Sequence, residues 1–92
     1  MKMKSAMRIA ARVSRREGKL TEQQYRKIMI AIRHPNQKKP DGTPVNLMEE
    51  IEAHVTQEMG KQGLAINWPG VIQWFKDHWL QILSLLSLIS LL

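Results

Sequence analysis

The sequence predicts an all-α fold: three short amphipathic helices followed by one long hydrophobic C-terminal helix. Three observations predict it. Apolar residues recur at spacings of three and four, N-cap signatures stand before the apolar runs, and no stretch alternates as a half-buried strand would. The 92 residues make one domain at most. They divide into a basic helical hairpin (1–33), a Pro/Gly loop (34–45), an acidic amphipathic helix (46–63) and a hydrophobic anchor helix (64–92).

The first helix is expected over 2–17. Met3, Ala6, Met7, Ala10 and Val13 share one side of a helical wheel, and Lys4, Arg8, Arg12, Arg15 and Lys19 take the other. Gly18 is its stop. Thr21 caps the second helix, with Gln24 at the capping-box position and Leu20 and Tyr25 at the hydrophobic-staple positions. Tyr25, Ile28, Met29 and Ile32 form its apolar stripe, and it ends near Arg33 because His34 precedes Pro35. Pro40-Asp41-Gly42 marks a turn: Pro fixes φ, Asp bonds locally and Gly tolerates positive φ. Asn46 with Glu49 opens the third helix, whose stripe is Met48, Ile51, Val55 and Met59 and whose end is Gly60 or Gly63. Asn67 caps the last helix, with Pro69 in its first turn, and nothing is expected to break it from Val71 onward.

Charge is divided along the chain. Residues 1–40 hold twelve Lys/Arg against Glu17 and Glu22, a net of +10, whereas residues 41–92 carry a net of −4. A basic end of this kind suits a polyanion, with a solvated basic surface as the bland alternative. The apolar side of the first helix lacks aromatics and is expected to dock on the second helix rather than in an interface. Lys4, Arg8, Arg12, Arg15, Arg16 and Lys19 would then face an anion, either nucleic acid or anionic lipid. No aromatic interleaves these arginines, so base stacking on this face is not expected. A helix-turn-helix arrangement through Gly18 is a further reading, though the second helix is short for it.

A helix from Val71 to Leu92 would be about 33 Å long, close to a bilayer core; its uncharged part, Trp79 onward, would reach about 21 Å. Trp68, Trp74 and Trp79 gather at its start as an interfacial belt would, and Lys76 could snorkel to the same level. The expectation is a tail-anchored transmembrane helix in a virion or host inner membrane, its basic part on the cytoplasmic or virion-interior side. Gln81, Ser84, Ser87 and Ser90 recur every third residue as a small polar strip for packing another helix. The competing expectation is burial in a hydrophobic protein groove or an oligomer core. A cleaved signal peptide is not expected, since no apolar run follows the basic N-terminus.

The sequence holds no cysteine, no Gly-rich phosphate loop and no HExxH or calcium-loop pattern. Glu50 and His54 lie one turn apart, but two ligands without a third read as a surface pair. No enzyme, metal or cofactor is expected.

The basic helical head, the short linker and the terminal INWPGVIQWFKDHWLQILSLLSLISLL resemble, in architecture, the small membrane-associated virion proteins of icosahedral bacteriophages. That resemblance implies a structural role linking capsid, membrane and packaged genome, as part of a larger assembly or a homo-oligomer. The Leu83-Ser84, Leu86-Ser87 and looser Ile89-Ser90 dipeptides also resemble the Leu-Ser segment of single-gene lysis proteins of small RNA phages. The chain departs from those by ending inside its apolar run and by its three capped helices. The function expected is therefore anchoring plus polyanion binding; the alternatives are membrane disruption and a soluble helical docking module.

Overall fold

The computed structural model describes residues 1–60 and 67–87. α1 covers Met3–Arg16. It stops where Gly18 takes a left-handed φ of 76°, which a residue with a Cβ adopts only at a cost of about 1–2 kcal/mol. The Gly18 N–H donates to the Arg15 carbonyl (3.1 Å) and the Lys19 N–H to the Ser14 carbonyl (2.8 Å). This pair of bonds is a Schellman motif, and it satisfies carbonyls that the helix end would otherwise leave open. The predicted capping box then starts α2 (Glu22–Arg33): the Gln24 N–H donates to Thr21 Oγ1 at 3.1 Å, and the Thr21 N–H donates to Gln24 Oε1 at 2.9 Å. α2 ends ahead of Pro35, as the steric restriction on the preceding residue requires.

The segment expected to be only a loop contains a small hairpin. β1 (Asn36–Lys38) pairs antiparallel with β2 (Pro44–Asn46), Gln37 facing Val45. The predicted turn reverses the chain between them, with Gly42 at φ 88° and the Thr43 N–H donating to Asp41 Oδ1 at 2.9 Å. Gln37 is buried but satisfied, its Nε2 donating to the His34 carbonyl at 2.6 Å. A strand whose inward residue is glutamine carries no apolar alternation, so periodicity does not reveal it. Asn46 leaves β2 and caps α3 (Leu47–Gly60), its Oδ1 accepting the Glu49 N–H at 3.0 Å. Leu47, Met48, Ile51 and Val55 are buried along α3.

The C-terminal run is two helices, α4 (Trp68–Asp77) and α5 (Trp79–Ser87), where one continuous helix was expected. Asn67 caps α4, its Oδ1 accepting the Gly70 N–H at 3.3 Å. The break falls at His78. In an unbroken helix the amide of residue 78 would donate to the carbonyl of residue 74. Here the His78 ring takes that acceptor, Nδ1 lying 2.6 Å from the Trp74 carbonyl, while the His78 N–H donates to the Phe75 carbonyl instead. The ring also stacks on Trp74, with centroids 4.3 Å apart and planes 12° apart. α5 then restarts on the His78 carbonyl, which accepts from Ile82.

α1 packs most extensively on α4 and then on α2; α2 in turn meets α3 and α5. Small side chains make the first contact possible: Ala6, Ala10, Ala11 and Ser14 are fully buried on α1. Phe75 of α4 is also fully buried, and its ring lies 5.8 Å from that of Trp79. Burying such a side chain is worth about 1.5–3 kcal/mol. The Trp79 indole Nε1–H donates to Ser14 Oγ at 2.8 Å inside this core. Among the described residues no buried side-chain nitrogen or oxygen lacks a partner.

This packing corrects the membrane reading. Among the described residues no helix is long and apolar enough to cross a membrane. Trp74 and Trp79, read as an interfacial belt, are only 9% and 5% exposed within the core. The tail-anchored transmembrane assignment, and the virion or inner-membrane location built on it, are therefore overturned. The gathering of tryptophans records the aromatic centre of a small core, not a headgroup level.

Replacing Ser14 by alanine would leave the Trp79 N–H buried without an acceptor. We expect Ser14→Ala to lower the unfolding free energy by about 1–3 kcal/mol, measured by urea denaturation followed by tryptophan fluorescence.

Candidate functional site

α1 has two faces with opposite tasks. With its small residues committed to the core, Lys4, Arg8, Arg12 and Arg16 project at intervals of four along the other side. Successive positions stand about 6 Å apart along the axis, so the four form one cationic ridge about 18 Å long. Lys4, Arg12 and Arg16 are exposed and Arg8 is half-buried. None of the four has a carboxylate partner among the described residues. No acid lies in α1 itself, and its last turn carries Arg15 and Arg16. Like charges at i,i+4 each cost an isolated helix about 0.2–0.5 kcal/mol, so folding alone does not favour this arrangement. The burial of the opposite face carries that cost.

The other cations of the predicted set are engaged. The Arg15 Nε lies 3.4 Å from Glu22. Lys19, just past the Gly18 turn, lies 3.6 Å from Glu17. Lys76, assigned from sequence to a membrane interface, instead reaches Glu17 from α4 at 3.0 Å. The Lys76 ammonium, hydrogen-bonded to the Glu17 carboxylate, holds that carboxyl below its ordinary range, with the charges of Lys76 and Lys19 acting in the same direction. Glu17 thereby ties the end of α1 to α4 and removes Lys19 from the group of unpaired cations.

Arg12, Arg15 and Arg16 line a hollow of about 370 Å³ whose fourth wall is Tyr25 from the first turns of α2. The Arg15 guanidinium sits over the Tyr25 ring, 4.5 Å from its centroid. Sequence reasoning placed Tyr25 in a hydrophobic staple and found no aromatic among the arginines. The Schellman turn and the capping box together fold α2 back so that its tyrosine enters the arginine cluster. The available signal was the staple position itself, which places Tyr25 beside the helix junction.

The remaining predicted residues are dispersed. Trp68 is partly buried at the start of α4, and Trp74 and Trp79 belong to the core. Gln81, Ser84 and Ser87 are exposed on α5, the Ser87 hydroxyl donating to the Ser84 carbonyl at 2.7 Å. Ser90 lies outside the described residues. Of the Leu-Ser dipeptides, Leu86 is a core residue and Leu83 packs partly against the core. Gln81 and Ser84 help line a second recess of about 320 Å³ between α3 and α5, with Ile51, His54, Trp74 and Leu85. There His54 bonds Gln81 and meets the edge of Trp74, so its partners are structural ones. The recess is mainly apolar, whereas the hollow beside α1 is cationic.

No protein-family model, curated protein or solved structure matches this chain.

The Glu17 bridge has a pH signature. Its carboxyl binds a proton more weakly folded than unfolded, so its contribution to stability is complete well above the ordinary value of 4.5 and is lost as pH falls through the lower folded value. We expect Glu17→Gln to melt below the parent chain at neutral pH, and the gap to close as pH is lowered past 4.5, by thermal scans at matched ionic strength.

Proposed function

We propose that this chain is a small, non-enzymatic helical module that binds nucleic acid through the exposed face of α1. One observation carries the reading: Lys4, Arg8, Arg12 and Arg16 form a ridge without carboxylate partners among the described residues, on a helix whose other face is closed by the core. Such a ridge acts on phosphates by charge and by the entropy of released counterions, with no need to read bases. The rest of the fold serves it as a brace, since a helix packed along α4 and α2 cannot turn its cations inward. Of the role implied by the resemblance to phage virion proteins, this proposal keeps genome contact and drops the membrane link.

A second reading, self-association, is favoured by the outer face of α5. Leu80 is 79% exposed there, flanked by the small exposed residues Ser84 and Ser87. Sedimentation of the full chain against Leu80→Glu tests it: a concentration-dependent dimer in the parent and a monomer in the variant are expected.

For the main reading, four phosphate contacts give a slope of log K against log salt of about −3 to −4 on duplex DNA. Arg12→Ala should reduce that slope by about one and weaken binding alike across unrelated sequences. Fluorescence anisotropy titrations at several salt concentrations measure both. Binding that ignores salt would overturn the proposal.

A further inference from the structure

Resting on that reading, we infer that the Arg15–Tyr25 stack is a shelf for an unpaired base, so that the preferred ligand is single-stranded nucleic acid. Arg15 differs from its neighbours on α1. Its guanidinium is held from one side by the Tyr25 ring at 4.5 Å and at its Nε by Glu22 at 3.4 Å, yet its side chain stays 47% exposed. A guanidinium already paired with a carboxylate is a poor phosphate clamp. A guanidinium seated over an aromatic ring, with area still open, is a good surface for a base, because its plane can stack on the π-face of any of the four. Arg12 and Arg16 flank the same hollow without carboxylate partners among the described residues and are placed to hold the phosphates on either side of that base. The hollow, about 370 Å³ and open to solvent, leaves the outer side of the Arg15 guanidinium accessible to a base.

The division of labour among three adjacent arginines selects the strand state. Phosphate clamps serve duplex and single strand equally. A shelf serves only a base that is not stacked in a helix, as in single-strand binding sites where aromatic and arginine platforms alternate with cationic grooves. The absence of an aromatic within α1 argued against stacking; Tyr25, delivered from α2, supplies what that helix lacks.

The test is fluorescence anisotropy on the full chain with three labelled probes: a mixed-sequence single strand, the same strand made abasic, and the corresponding duplex. The parent chain should bind the intact strand about tenfold more tightly than the abasic one, the contribution expected of one stacked base. Arg15→Lys, which keeps the charge and loses the plane, should remove most of that preference while changing abasic and duplex binding little. Tyr25→Leu, which keeps apolar contact with the core, should act like Arg15→Lys; circular dichroism confirms that both variants fold. Equal binding of intact and abasic strands, or a uniform loss on all three probes in Arg15→Lys, would overturn the shelf and leave the charge-based reading intact. Failure of every probe to bind would overturn both.

Discussion

The seating of α1 against α4 and the start of α5 is the constraint on which the structure turns, and it is pinned by the bond from the α5 Trp79 indole to Ser14. Close approach needs small side chains, and α1 supplies Ala6, Ala10, Ala11 and Ser14 there. A larger residue at any of these fully buried positions would overpack the core, at a typical cost of about 1–3 kcal/mol. The same serine anchors the helix end, since its carbonyl accepts the Lys19 N–H of the Schellman turn. The Ser14 side chain thus pins α1 to Trp79, while its backbone carbonyl takes part in the turn that Gly18 makes possible. The outward direction of the cationic ridge is a consequence of those two contacts.

Electrostatics around α1 is graded. Glu17 gathers Lys19 and Lys76, and Glu22 gathers Arg15, so carboxylates neutralise the C-terminal end of the helix selectively. Surface pairs such as Arg15–Glu22 and Lys19–Glu17 add little to stability. Their larger effect is positional: they fix which cations are committed and which are left to the solvent. Lys4, Arg8, Arg12 and Arg16 remain, and they lie in line. The proposed site is defined as much by the acids that stop short of it as by the bases within it.

Local chemistry was legible in the sequence, and long-range chemistry was not. The Thr21–Gln24 box, the Asn46 and Asn67 caps and the Pro40-Asp41-Gly42 turn all form as read, because each depends on residues no more than four apart. The helical class followed from the same signals. The hairpin was missed because its inward residue on β1 is Gln37, and the break at His78 because neither Gly nor Pro marks it. The tryptophans were assigned to a membrane because hydropathy reports that a residue avoids water without saying what replaces it. Trp79 is instead held by Ser14, sixty-five positions away, a residue that lay outside the apolar face read from periodicity. Lys4, Arg12 and Arg16 are exposed and Arg8 half-buried, but only the fold shows that Arg15 and Lys19 pair with Glu22 and Glu17 and that Tyr25 meets Arg15.

The separation between Ser14 and Trp79 also bears on how the molecule comes into being. Sixty-five positions divide the two groups that fasten α1 in place, and contacts of that span form late because the intervening chain must first be ordered or tolerated as a long loop. While the chain is emerging, α1 has α2 and then α3 beside it but not yet α4, on which it packs most extensively. A fragment stopping after α3 would keep the packing of α1 on α2 but lack α4 and the Trp79–Ser14 bond. The two parts of the fold therefore depend on each other: α1, which carries the cationic ridge, is held in its orientation by elements that follow it at long range.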